Sequence, residues 1–355
     1  MKTIRIGIVG TGGMANGHAG QYRRIPRVKL TACCDIDRQR AEDFAARHEI
    51  PHVFTNPLDL FDSGLVDGIS NVTPDTVHAE VAIAAARAGV HLLSEKPLAM
   101  SVEEGRAMVR AVRKAGVVNM VNFSFRDSSA LQECAHRIAK GDIGRVMHVE
   151  GSYLQAWLPS KVWGDWRTRT AFLWRLSTQH GSMGTLGDIG CHLLDAVGFV
   201  GGDIAEISCR LMNFHKGVPR NRMGEYRLDA NDSFSATLLF RHGGLGVAHA
   251  TRWATGQTNS LALRIYGDLG GIRIDRDRSM DEYEICAGKD VDTSTWRTVK
   301  ARRAPNTYRR FVDAIRNGAQ EASDFVNGLK VQAYLEACMA ADTSGGFVKV
   351  RLPSR

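Results

Sequence analysis

The stretch Gly187-Asp188-Ile189-Gly190-Cys191-His192 runs into Leu193, Leu194, Ala196 and Val197, an apolar pattern that predicts a helix. In a helix begun at that point Asp188 and His192 are four residues apart and share one face. A histidine titrates near neutral pH and a neighbouring carboxylate orients it, so the pair suits proton transfer. The same spacing also fits Asp188 as a helix cap and His192 as a packed core residue. A second candidate is Lys96, in Glu95-Lys96-Pro97, directly after a strand expected over 90–94. Open α/β sheets place ligands at the carboxyl ends of such strands, although a lysine there also suits a solvated loop.

Positioning those groups requires an alternation of strands and helices, and the first third of the chain supplies it. A strand over 4–9 leads into Gly10-Thr11-Gly12-Gly13-Met14-Ala15, a helix to about residue 24, and a strand over 28–34 that ends at Asp35. Small residues at a strand-to-helix turn let the backbone approach a pyrophosphate, whose charge the free amides at the helix start stabilise. Asp35, 20 positions after Ala15, is placed to accept hydrogen bonds from the ribose hydroxyls of a dinucleotide. Its charge would repel a 2′-phosphate, which favours NAD, while Arg38 leaves NADP possible. The other reading is a glycine-rich turn with no ligand. Further on, a strand over 66–72 is followed by a helix over 74–88 with Thr73 as its expected cap and Pro74 in its first turn. A helix over 101–115 and a strand over 117–123 follow, and the whole reads as a doubly wound sheet of six strands, five of them placed here.

From residue 126 the alternation stops. After a helix over 128–140 and the one at 188–200 come strand-like runs at 146–153, 204–213, 234–240, 245–251, 260–266, 271–274 and 283–286, joined by glycine-rich turns. Two helices, about 307–317 and 327–341, close the chain. The expected organisation is a Rossmann domain, residues 1–124, and an α+β domain with a large, mainly antiparallel open sheet, residues 125–355. Four of the six tryptophans lie between Trp157 and Trp174. Aromatic faces with polar edges suit a sugar ring; they also suit a cap over the sheet core.

At 355 residues, 44% hydrophobic and 24% charged, the chain reads as a globular protein of two domains. The opening residues run straight into a strand with no leader pattern, and no apolar run reaches membrane-spanning length, so the expectation is a cytoplasmic protein without membrane attachment. Seven scattered cysteines, without a Cys-x-x-Cys pair, argue for reduced, mostly buried thiols and against a disulfide framework or zinc cage. The net charge of +8 comes from paired arginines rather than basic runs mixed with aromatics, which speaks against nucleic acid and for attraction of an anionic cofactor.

Taken together, Gly10-x-Gly12-x-x-Ala15, Thr73-Pro74 with His78, Glu95-Lys96-Pro97, Trp174-Arg175 and Gly187-Asp188-Ile189-Gly190-Cys191-His192 resemble the glucose-fructose oxidoreductase and inositol dehydrogenase family. The resemblance implies NAD(P)-dependent redox chemistry on sugars and cyclic polyols, with Lys96, Asp188 and His192 as catalytic residues. It implies a cofactor site of Gly10, Gly12, Gly13, Met14, Asp35, Thr73, Pro74, His78, Glu95 and Lys96. Tyr153, Trp174, Arg175, His180 and Asp188 become the expected substrate wall, no metal is required, and the open sheet is expected to join a homodimer or homotetramer. Gly181-Ser182-Met183-Gly184 and the tryptophan-rich segment at 157–166 depart from the common pattern where substrate would sit. The same residues would serve a glycoside-cleaving enzyme that oxidises its substrate transiently, which accumulation of NADH distinguishes. A non-catalytic NAD-binding regulator would have no use for the Lys96, Asp188 and His192 set.

Overall fold

The computed structural model describes residues 2–352. Its first compact unit runs to Ser124 and takes in Pro305–Gln332; the second comprises Phe125–Ala304 and Ala333–Leu352. The expected carboxyl-terminal domain at 125–355 is therefore interrupted, because the segment from Pro305 to Gln332 packs with the first unit.

In the first unit β1 (Ile4–Val9), β2 (Val28–Cys34), β3 (His52–Phe54), β4 (Gly68–Asn71), β5 (His91–Ser94) and β6 (Asn119–Val121) form a wholly parallel sheet of order β3-β2-β1-β4-β5-β6. The order reverses between β1 and β4, and that reversal opens a crevice at their carboxyl ends. The connecting helices are α1 (Gly13–Arg23), α2 (Arg38–His48), α3 (Pro57–Asp62), α4 (His78–Arg87) and α5 (Val102–Ala115). α5 shows why such segments start and stop where they do. The Ser101 hydroxyl accepts from the Glu104 amide, the Glu104 carboxylate accepts from the Met100 amide, and Gly116 ends the helix at φ 65°. The expected helix over 74–88 is shorter. Asp75–Val77 form a 3₁₀ turn, α4 begins at His78, and Thr73 donates its hydroxyl to Asn71 instead of capping. One apolar core joins β1, β2 and α1 to Tyr308, Phe311 and Val312, which is what ties the late helix to this unit.

The second unit contains α6 (Ser129–Ala139), β7 (Val146–Leu154), α7 (Cys191–Gly201), β8 (Ile204–Met212) and a short ribbon of β9 (Arg222–Met223) and β10 (Tyr226–Arg227). β11 (Ser233–Phe240), β12 (Leu245–Thr251), β13 (Ser260–Gly267), β14 (Gly270–Asp275), β15 (Glu282–Ala287) and β16 (Arg297–Lys300) follow. β17 (Val348–Lys349) pairs with β8, after α8 (Thr307–Asn317) and α9 (Phe325–Ser344). The nine-stranded sheet, β16-β15-β14-β13-β7-β12-β11-β8-β17, is antiparallel except where β7 and β12 run parallel. Its covered face carries small residues where α7 crosses: a Cβ at Gly151 would lie 2.7 Å from Val197 and 3.0 Å from Leu193. Along β12, Gly246, Ala248 and Ala250 are buried while Leu245, Val247 and His249 point outward, the two-residue period of a half-covered sheet. All seven cysteines are free and buried, and among the described residues no helix is long and apolar enough to cross a membrane.

Candidate active site

At the carboxyl end of β1 the chain turns through Gly10 with φ 86°, and a Cβ there would lie 2.6 Å from the Val72 carbonyl. Only glycine lets this turn lie against the end of β4. Gly12 caps α1 without a side chain, Cβ atoms at Gly12 or Gly13 would meet nothing within 4 Å, and Met14 is exposed. The amides that begin α1 thus lie under an open glycine surface, an arrangement that accepts a diphosphate. Asp35 at the end of β2 is buried, and its Oδ2 accepts from the Thr11 amide and hydroxyl, both at 2.9 Å, while Oδ1 accepts from the Asp37 amide at 3.0 Å. The carboxylate therefore braces the glycine loop, a role that spacing alone did not reveal, and a carboxylate has acceptor sites beyond those three bonds. The arginine beside it is Arg40, at 3.7 Å, rather than Arg38, which pairs with Glu42 at 3.5 Å.

Thr73, Pro74, His78, Glu95 and Lys96 converge at the ends of β4 and β5. His78 is fully buried with Nδ1 2.9 Å from the Pro97 carbonyl and Nε2 3.0 Å from that of Thr73, so it fastens the two loops together. Glu95 is buried too. Its Oε1 accepts from His18 Nε2 at 2.9 Å and from Asn122 Nδ2 at 2.6 Å, and its Oε2 accepts from the Lys96 amide at 3.2 Å. Burial pushes its carboxyl up, but the hydrogen bond and charge of His18, together with Lys96 and Asn122, outweigh that and hold it down at about 2. His78 and Glu95, both expected to contact a cofactor, are thus enclosed supports of the loops that carry Thr73 and Lys96. Lys96 itself is half-buried. His18 and Asn122 escaped the sequence reading; the only hint was that Asn122 directly follows β6.

In the second unit Asp188 does not open an α-helix. Leu186–Gly190 form a π-helical turn, α7 starts at Cys191, and a Cβ at Gly190 would lie 2.8 Å from the Phe234 ring. π turns that interrupt helices occur frequently at functional sites. The Asp188 carboxylate, about a quarter exposed, accepts from Arg252 Nη2 at 2.9 Å on Oδ2, and Arg175 Nε lies 3.8 Å from the same oxygen. Arg252 is wholly enclosed; no local pattern in the sequence marked it. His192, in the first turn of α7, is 6% exposed and meets the Phe125 ring edge-on at 5.0 Å, and Tyr153 meets the same ring edge-on at 4.9 Å. The Tyr153 hydroxyl donates to Asn259 at 2.6 Å. Trp174 is 37% exposed and stacks beneath the Arg175 guanidinium at 4.5 Å, whereas His180 turns toward Tyr226 at 4.3 Å and Ser177. The tryptophan-rich segment is a correction to the sugar-platform reading. Trp157 and Trp166, 3% and 1% exposed, form a small separate core with Leu158, Leu173, Leu176 and Leu228, because their apolar area is worth more buried than offered to solvent.

Residues 4–123 match the model of an oxidoreductase family with an NAD-binding Rossmann fold, and residues 131–273 match the GFO/IDH/MocA carboxyl-terminal domain. The chain belongs to the GFO/IDH/MocA oxidoreductase family. Among relatives in that family, levoglucosan dehydrogenase of Pseudarthrobacter phenanthrenivorans is 28% identical over 321 residues, 84% of this chain and 80% of that protein. A levoglucosan dehydrogenase structure in complex with NADH and levoglucosan superposes with a TM-score of 0.86 at 26% identity, covering 98% of this chain and 99% of the other. An oxidoreductase domain protein from Kribbella flavida gives 0.87 at 30% identity, with complete coverage of both chains. As a GFO/IDH/MocA member the protein is an NAD-dependent oxidoreductase. Its glycine loop, uncapped α1 start and Asp35 fit that cofactor.

Proposed function

We propose that the protein oxidises a secondary hydroxyl of a sugar, sugar derivative or cyclic polyol. The observation that supports this most is the Asp188 carboxylate, anchored from behind by Arg252 yet open to solvent, four residues before a histidine. An anchored carboxylate is a hydroxyl acceptor, and an adjacent imidazole is a base for a second hydroxyl. The sugar named for the levoglucosan dehydrogenase complex agrees with that class.

Bound nicotinamide supplies the acceptor for the carbon-bound hydrogen. His192 takes the proton of the reacting hydroxyl. Lys96 donates a hydrogen bond to the same oxygen and stabilises its developing negative charge. Asp188 accepts from a neighbouring hydroxyl, and Arg175, Trp174, Tyr153 and His180 form the wall around the ring. The test is a panel of sugars and polyols offered with NAD and with NADP, followed by nicotinamide absorbance. Failure of every secondary alcohol while NADH still binds sinks the reading.

Asp35 gives NAD its advantage over NADP through its charge and its hold on Thr11. Asp35→Ala is expected to weaken NAD binding by about tenfold, the worth of roughly one charge-assisted hydrogen bond, and to narrow the preference over NADP. Titrating both cofactors by fluorescence checks this, and a wild-type preference for NADP contradicts it.

The uncovered face of the nine-stranded sheet joins two copies of the chain, giving a homodimer or, with a second contact, a homotetramer. Leu245 and Val247 stand outward near its centre beside Leu239 and His249, and such a patch is costly in water. Light scattering should find at least twice the chain mass; a monomer at micromolar concentration refutes it.

A further inference from the structure

We propose that Arg252 is the positioning residue of the substrate site: it presents Asp188 and the Arg175 turn to the sugar as one rigid unit. The proposal rests on the reading of Asp188 as the hydroxyl acceptor.

Arg252 follows the last residue of β12, and its side chain is completely enclosed. The hydrogen bonds of its guanidinium go to the segments that carry the proposed substrate residues. Nη2 donates to Asp188 Oδ2 at 2.9 Å and more weakly to the Gly184 carbonyl at 3.4 Å; Nη1 donates to the Arg175 carbonyl at 3.0 Å. Its plane lies 5.0 Å from the Trp157 ring centroid, so the small tryptophan core forms the floor under it. Its own backbone is pinned by a bond from its amide to the Asp232 carbonyl. One planar fork thus ties together the π turn, the turn after Trp174 and the end of a central strand.

The chemistry follows from that placement. A buried guanidinium requires an anion beside it, so the Asp188 carboxylate is held in one orientation, an acceptor ready before substrate arrives. Preorganisation of this kind lowers the cost of binding, because the carboxylate need not be ordered when the sugar enters. Lysine cannot reproduce the arrangement, since a single ammonium lacks the fixed fork that reaches separate acceptors in one plane. Burial lowers the Arg252 pKa, and the Asp188 carboxylate opposes that shift without cancelling it.

The experiment compares Arg252→Met, Arg252→Lys, Asp188→Asn and the double variant Arg252→Met/Asp188→Asn with the wild type. The probe is levoglucosan or, where that is inert, the fastest sugar of the panel. Readouts are KM and kcat, sugar affinity of the NADH-loaded protein by tryptophan fluorescence, NADH affinity and the melting temperature. Asp188→Asn and Arg252→Met should each raise KM and sugar Kd by about ten- to a hundredfold, the loss of one charge-assisted contact, with the larger share in KM rather than kcat. Arg252→Lys should recover part of the loss. The double variant should be no worse than the poorer single, because both changes remove one unit. If Arg252→Met fails to fold, Arg252→Lys and its combination with Asp188→Asn carry the same comparison. A folded Arg252 variant with wild-type KM beside an impaired Asp188→Asn overturns the proposal while leaving the substrate role of Asp188 intact. A wild-type KM in Asp188→Asn overturns both.

Discussion

Alanine at His192 should lower single-turnover NADH formation by about 10² to 10⁴, the loss typical of a missing general base, while NADH affinity stays within about twofold. The retention of cofactor affinity follows because different residues carry the two functions. His192 belongs to α7 in the second unit, and the glycine loop and Asp35 belong to the first. Lys96→Ala should cost a similar factor through the loss of a cation at the developing oxyanion. The two losses should not multiply. If both groups act on one oxygen, the double variant falls well short of the product, because removing either already disables the same step. Single-turnover rates in folded variants, with cofactor affinity measured separately, check these expectations. A near-normal rate in His192→Ala returns that residue to the part of a packed neighbour of Phe125, which its small exposure and edge-on ring contact would also suit.

Replacing Glu95 should change stability in a pH-dependent way. Its carboxyl lies at about 2 in the folded protein against an ordinary value of 4.5. A depressed carboxyl pKa stabilises the fold above the ordinary value, and that contribution disappears as pH falls through the folded value. The wild type should therefore lose about 3 kcal/mol between roughly pH 5 and pH 2 from this residue alone. Glu95→Gln should be less stable than wild type at pH 7 by a similar amount and nearly level with it at pH 2. Glu95→Ala should cost about 3 to 5 kcal/mol at pH 7, because it also leaves His18 and Asn122 without their shared acceptor. Urea unfolding at pH 7, 5, 4 and 3 measures the convergence. Parallel curves for wild type and Glu95→Gln across that range would show that the carboxylate is not held by His18 in solution. Activity should fall as well, since the Lys96 amide donates to the same carboxylate.

Much of this protein was written in contiguous residues. The strand, glycine turn, helix and terminal acid of the first βαβ unit were legible because each depends on local rules: alternation, φ at Gly10, and the uncapped start of α1. The change of pattern after residue 124 and seven of the nine strands of the second sheet were legible for the same reason, whereas β16 and β17 were not. The helix at 307–317 was also found, but its place in the first unit was not, since only the packing of Tyr308 and Phe311 against α1 and β1 determines it. Tertiary structure likewise decided what the chemical residues touch. Asp188 reads as the partner of His192 along the chain, and the fold adds to it a bond from Arg252, 64 residues away. Glu95 reads as a cofactor contact, yet it is buried against His18, 77 residues away, and Trp157 and Trp166, two of the tryptophans that suggested a sugar platform, are consumed in a core of their own. Periodicity and capping act over a turn or two of chain, so sequence carries them openly. Charge pairing and apolar burial act through space, and they select partners only after the fold has brought distant segments together.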